Sequence, residues 1–140
     1  MTTTQVERKG STDADAEAAV IATVQDYFLG WYDGDPERMR RALHPDLAKR
    51  SYVAGSDDVP AVRAVSAVQM IEWTTEGEGK RSDAAGRRFD VTVDEIHDTI
   101  ATARVDSVPY REYIHLARTP DGWRIVNTLW TWTDPENPAD

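Results

Sequence analysis

The stretch Pro109 to Thr133, PYREYIHLARTPDGWRIVNTLWTWT, decides the fold. At its centre Thr119-Pro120-Asp121-Gly122 spells a tight turn: Pro presets φ, the Asp side chain bonds nearby backbone, and Gly tolerates positive φ. The flanking segments therefore read as two antiparallel strands with Arg118 opposite Trp123. Side chains alternate along a strand, so one face carries Glu112, Ile114, Leu116, Trp123, Ile125, Asn127 and Leu129. The opposite face carries Tyr113, His115, Val126, Thr128, Trp130 and Trp132. Neither face suits plain solvent. A sheet that is partly apolar on both sides has a core against one and a partner or ligand against the other.

Working back from the hairpin, FDVTVDEIH and TIATARVDS are rich in β-branched residues and read as two further strands, with a turn near Asp98-Thr99. In the second, Ala101, Ala103 and Val105 alternate with Thr102, Arg104 and Asp106, and the small alanines leave space above the sheet. A polar connection, Lys80 to Arg88, precedes them. Ser66 caps a helix bearing Val68, Met70, Ile71 and Trp73, which exits through Gly77-Glu78-Gly79. Residues 54–65 read as a loop and Leu47 to Val53 as a short strand, where adjacent Lys49 and Arg50 point to opposite faces. At most one of these cations looks inward.

Asp35-Pro36 starts a short helix with Met39, Ala42 and Leu43 facing inward, and Pro45 ends it at His44. Before it, an amphipathic helix capped by Asp13 repeats Val20, Ile21, Val24, Tyr27, Phe28 and Trp31 at helical spacing. Gly30 in its last turn implies close packing or room for a ligand. The division is a disordered tail over 1–12, one domain over 13–133 and a flexible tail over 134–140.

A chain of 140 residues that is 40% hydrophobic suits one domain with a real core. Its formal charge of −9 argues against nucleic acid and anionic membrane surfaces as partners. With no cysteine there is no disulfide framework, thiolate zinc site or Cys nucleophile. No apolar run approaches the ~20 residues of a membrane span, and the N-terminus lacks a signal-peptide core, so the expected location is the cytoplasm. Helices followed by consecutive antiparallel strands make an α+β fold, with about three helices on a strongly curved, mostly antiparallel sheet. A sheet so bent forms a cone that is either filled by side chains or hollow.

The order of elements resembles the nuclear transport factor 2-like (NTF2-like) superfamily, which includes ketosteroid isomerases and the polyketide cyclases related to SnoaL. The motifs Asp26-Tyr27-Phe28, Gly30-Trp31-Tyr32, Leu43-His44-Pro45-Asp46-Leu47, Glu112-Tyr113-Ile114-His115-Leu116 and Gly122-Trp123-Arg124-Ile125-Val126-Asn127 resemble the putative lumazine-binding family within it. The resemblance implies a homodimer with a small apolar-lined cavity. Glu112 stands where the pattern carries Asp.

The candidate chemistry follows from both readings. There is no phosphate loop, HExxH or GxSxG motif, and His44, His97 and His115 lack the close spacing of a metal pair, so neither metal nor cofactor is expected. Glu112 and His115 are the candidate acid/base groups, because a buried carboxylate has a raised pKa unless paired and imidazole titrates near neutrality. A salt bridge from Glu112 to Arg104 or Arg111 is the structural alternative. Tyr27, Trp31, Tyr52, Met70, Trp73, Glu112, Tyr113, His115 and Asn127 make up the expected ligand-binding set. Trp130 and Trp132 are assigned to a homodimer interface on the outer sheet face. The leading function is binding of a small aromatic or polyketide-like molecule. Its alternatives are a cofactor-independent isomerase, cyclase or dehydratase using Glu112 or His115, and a dimerisation module without ligand.

Overall fold

The computed structural model describes residues 11–134. Helix α1 (Ser11–Asp33) and the short α2 (Pro36–Ala42) are followed by strands β1 (Leu43–Ala54) and β2 (Pro60–Val65). Helices α3 (Ala67–Thr75) and α4 (Ala84–Arg87) then lead into β3 (Phe89–His97), β4 (Ile100–Ser107), β5 (Tyr110–Thr119) and β6 (Gly122–Trp132). The six strands form one sheet in the order β2-β1-β6-β5-β4-β3, in which only the β1–β6 pair is parallel. The result is α+β with the helices on one face, as the order of sequence patterns implies.

Local chemistry accounts for the element ends. The Asp35 carboxylate accepts from the backbone of Glu37 and Arg38, Pro36 opens α2, and Gly34 at φ +67° makes the turn between the two helices. Ser66 and Gln69 form a reciprocal capping box on α3. At Gly30 a Cβ would lie 3.0 Å from the Met39 nitrogen and 3.1 Å from the Arg38 Cβ, so this glycine lets α2 fold back closely on α1. The core joins Val20, Val24 and Phe28 of α1 to Met39 of α2 and to Ala101, Ala103, Val105, Ile114, Leu116, Trp123 and Ile125 of the sheet. The alanines of β4 are thus covered by helix, with Phe28 stacked on Phe89 at 5.0 Å.

Several expectations are corrected. Helix α1 runs from Ser11, so Asp13 lies inside it instead of capping it and Ser11 and Thr12 are helical instead of part of the tail expected over 1–12; the rest of that tail, and all but Asp134 of the one expected over 134–140, lie outside the described residues. Among the described residues there are four helices, the extra one being a single turn, α4, whose Gly86 nitrogen donates to Asp83. The segment read as a loop over 54–65 contains β2, an edge strand whose exposed Val62 and Arg63 gave no alternating signal.

The largest correction concerns β6. His115 pairs with Asn127 but Leu116 pairs with Ile125, so Val126 is the extra residue of a β-bulge. Up to Ile125 the expected alternation holds; beyond it every side chain changes face. Thr128, Trp130 and Trp132 join Glu112 and Tyr110 on the inner side, whereas Asn127 and Leu129 turn outward beside His115 and Tyr113. Trp130 and Trp132 therefore do not lie on the outer face to which a dimer interface was assigned.

Replacing Ser66 by Ala removes one arm of the capping box; we expect a loss of about 1 kcal/mol in urea-induced unfolding, with the fold unchanged by circular dichroism.

Candidate functional site

Three distant parts of the chain meet on the inner face of the sheet. Tyr27 comes from the buried stripe of α1, Lys49 from β1 and Glu112 from β5. Glu112 is only 2% exposed and Lys49 8%. The Lys49 ammonium donates to Glu112 Oε2 at 2.8 Å, the Tyr27 hydroxyl donates to the same oxygen at 2.7 Å, and Lys49 also donates to the Tyr27 oxygen. No described residue donates to Glu112 Oε1. The ammonium further sits 5.1 Å from the ring centre of Tyr27 and 5.6 Å from that of Trp130, where the negative aromatic faces stabilise a cation.

Burial pushes the Tyr27 phenol well above its ordinary value, and the neighbouring Glu112 charge and hydrogen bond push it further. Tyr27 is thus a neutral donor at physiological pH. Burial likewise raises Tyr32 to about 12. Away from this cluster, burial tends to raise the Asp26 pKa, but hydrogen bonds from Arg41 and Arg38 outweigh it and lower the pKa. That group ties α1 to α2 and takes no part in the site.

Above the cluster opens a cavity of about 370 Å³. Six aromatic side chains line it: Tyr27, Phe28, Trp31, Trp73, Tyr110 and Trp130. Val53, Val65 and Met70 complete the apolar wall, and Lys49, Ser51 and Glu112 supply polar groups. Arg63 and Glu78 also line it and are exposed, putting one charge of each sign at the boundary with solvent. Gly79 packs flat against the Trp31 indole, so closely that any Cβ would overlap the ring. That contact fixes one wall of the cavity through a residue without a side chain.

Of the residues expected to bind a ligand, Tyr27, Trp31, Met70, Trp73 and Glu112 line the cavity. Tyr52, Tyr113, His115 and Asn127 do not. Tyr52 and Tyr113 are 52% and 53% exposed on the outer face, and His115 faces Asn127 there with nitrogens 3.4 Å apart. A second hollow, of about 360 Å³, lies on this side beside His97, His115 and Asn127. Glu112 pairs with neither Arg104 nor Arg111, which bind Asp94 and Asp106 instead. Sequence reading omitted Lys49 from the site set, as it omitted Trp130; the only available signal was that one of the adjacent cations Lys49 and Arg50 had to face inward. His44 caps its own corner by accepting from the Asp46 nitrogen. Among the described residues, no group of three or more His, Asp or Glu side chains could hold a metal.

The family described as "Putative lumazine-binding" matches residues 15–131, and the chain belongs to it. Its fold is NTF2-like. An NTF2-like protein of unknown function from Silicibacter pomeroyi is 15% identical, with a TM-score of 0.67 over 84% of this chain and 96% of that one. A second NTF2-like protein of unknown function, from Methylobacillus flagellatus, is 20% identical, with a TM-score of 0.62 over 89% and 94%. A cystatin-like fold protein from Burkholderia xenovorans is 21% identical, with a TM-score of 0.55 over 84% and 92%. No curated protein matches the sequence. No described helix is long and apolar enough to cross a membrane.

Glu112→Gln leaves the Lys49 charge buried without its counter-ion, and we expect a loss of about 3–5 kcal/mol in chemical denaturation. The double change Lys49→Met with Glu112→Leu should recover most of it. A second expectation concerns alkaline pH. A phenol of ordinary value 10.0 that is held near 12 in the fold is more protonated in the native than the unfolded chain between those values. The stability linked to Tyr32 is therefore complete below pH 10 and lost as pH rises through 12. Tyr32→Phe should flatten this fall in thermal unfolding recorded across that range.

Proposed function

We propose that the protein binds a flat aromatic or polyketide-like small molecule in the inner cavity. The observation that carries this reading is the cavity itself: about 370 Å³, six aromatic side chains, and one cluster of polar groups at its base. Ligand sites are concave, mostly apolar and furnished with a few placed polar groups, and their volumes run from about 300 Å³ upward. A ligand of one to three fused rings matches that space. Its rings would lie among Trp31, Trp73 and Trp130, and a polar edge would meet Lys49 and Glu112 Oε1. A filled cone without ligand would have no such opening, so the cavity favours this reading over a purely structural module.

The outer sheet face supports a homodimer on different residues from those first assigned. Tyr52, Val62, Tyr113 and Leu129 are each about half exposed or more there, between 47% and 60%, and supply an apolar centre. Proton transfer inside the cavity, the enzymatic alternative, would fall to Glu112 alone, since His115 faces away.

Trp130→Ala removes one ring of the cavity wall and a face for the Lys49 cation. We expect affinity for a panel of pterins, flavins and naphthoquinones, measured by tryptophan fluorescence quenching, to fall at least about tenfold for whichever compound binds best, in line with an aromatic anchor worth ~2 kcal/mol. If none of the panel quenches the wild-type protein and native mass spectrometry shows no co-purified small mass, the binding reading is wrong.

A further inference from the structure

Lys49 has a combination of properties that an ordinary structural ion pair does not need. It is 8% exposed, yet it lines the cavity together with its partner Glu112. Its nitrogen is held by Glu112 Oε2 at 2.8 Å and by the Tyr27 oxygen, with the rings of Tyr27 and Trp130 about it. Everything around that nitrogen stabilises positive charge, and an iminium, with a single N–H, could still donate to Glu112 while giving up the bond to Tyr27. An iminium ion at the same atom would keep the ion pair and both aromatic contacts.

We propose that Lys49 captures an aromatic aldehyde or ketone as a Schiff base, with Glu112 carrying the protons. This rests on the small-molecule reading of the cavity and narrows the ligand to carbonyl compounds. The steps balance without a further reagent. The Lys49 ammonium gives a proton to Glu112 Oε2 along the existing hydrogen bond, and the free amine adds to the carbonyl carbon. The amine nitrogen of the adduct loses its proton to the former carbonyl oxygen. Glu112 then protonates the resulting hydroxyl, which leaves as water while the C–N bond becomes double. One ammonium and one carbonyl become one iminium and one water, the charge is unchanged, and Glu112 ends as the carboxylate facing the new cation.

Tyr27 has the supporting part. As a phenol kept neutral by burial and by Glu112, it donates to the carboxylate and is near enough to Lys49 to accept from it. It thereby fixes the carboxylate and the amine relative to one another.

The chain has three lysines, Lys9, Lys49 and Lys80, so the site of capture can be mapped directly. The full-length protein is incubated with naphthaldehyde, with and without cyanoborohydride. Without reductant, tryptophan quenching reports occupancy of the cavity; with it, intact mass and peptide mapping report the amine that reacted. The expected result is one adduct, equal to the aldehyde less one oxygen, at buried Lys49 in at least about tenfold excess over exposed Lys80 and over Lys9. In Lys49→Arg, the quenching should persist and that adduct vanish. Quenching without an adduct, or with adducts spread over Lys9, Lys80 and the terminal amine, overturns the Schiff-base proposal and leaves the cavity reading standing. Neither quenching nor adduct overturns both. Should Lys49→Arg fail to fold by circular dichroism, the wild-type peptide map decides alone.

Discussion

A buried carboxylate needs a partner, and the way Glu112 finds one organises the inner face of this protein. Its partners come from α1 and β1, 85 and 63 residues away in sequence. Removing two charges from water costs several kcal/mol apiece, and their attraction repays this only when geometry is good and remaining polar atoms are bonded. Tyr27 supplies the additional hydrogen bond, and Trp130 and Tyr27 supply aromatic faces to the ammonium. The cluster adds little net stability compared with an apolar core of the same shape. What it does is demand one arrangement of α1, β1 and β5, because any slip leaves a buried charge unpaired.

The second constraint is the bulge at Val126. An extra residue bends its strand and inverts all the alternation beyond it. Before the bulge, Trp123 and Ile125 pack under α1, where the Thr23 hydroxyl reaches the Trp123 carbonyl at 3.1 Å. After it, Thr128 and Trp130 face inward, and Tyr110, Trp130 and Trp132 form one aromatic group with ring centres 5.1–5.9 Å apart. One end of the sheet is therefore filled by aliphatic core and the other left open, walled by aromatic rings. Polar chemistry and the cavity sit together at the open end.

Local patterns made much of the fold readable. The Asp35-Pro36 start of α2, the Ser66 cap of α3 and the Pro120-Asp121 turn each depend on side chains acting on backbone within a few residues, and each lies where its chemistry puts it. The inward stripe of α1, including Val20, Val24, Tyr27 and Phe28, follows from helical spacing alone. About a third of the cavity lining was readable for the same reason: Tyr27, Trp31, Met70, Trp73 and Glu112 lie on faces that periodicity assigns inward. The motifs shared with the putative lumazine-binding family added the topology.

What the sequence by itself determined, then, is the elements other than β2 and α4, the buried faces of the terminal hairpin up to Ile125, and the need of Glu112 for a partner. Tertiary structure decided which partner. The inward cation is Lys49 because β1 pairs in parallel with β6 and so brings Lys49 opposite Thr128, on the side where Tyr27 lies. It also moved Trp130 from the outer face to the cavity and Asn127 out to the outer face beside His115, through a bulge that leaves no mark in a period-two pattern. Alternation is a property of one strand, whereas a bulge is a relation between two, and the energy that selects it comes from packing that only the assembled sheet supplies.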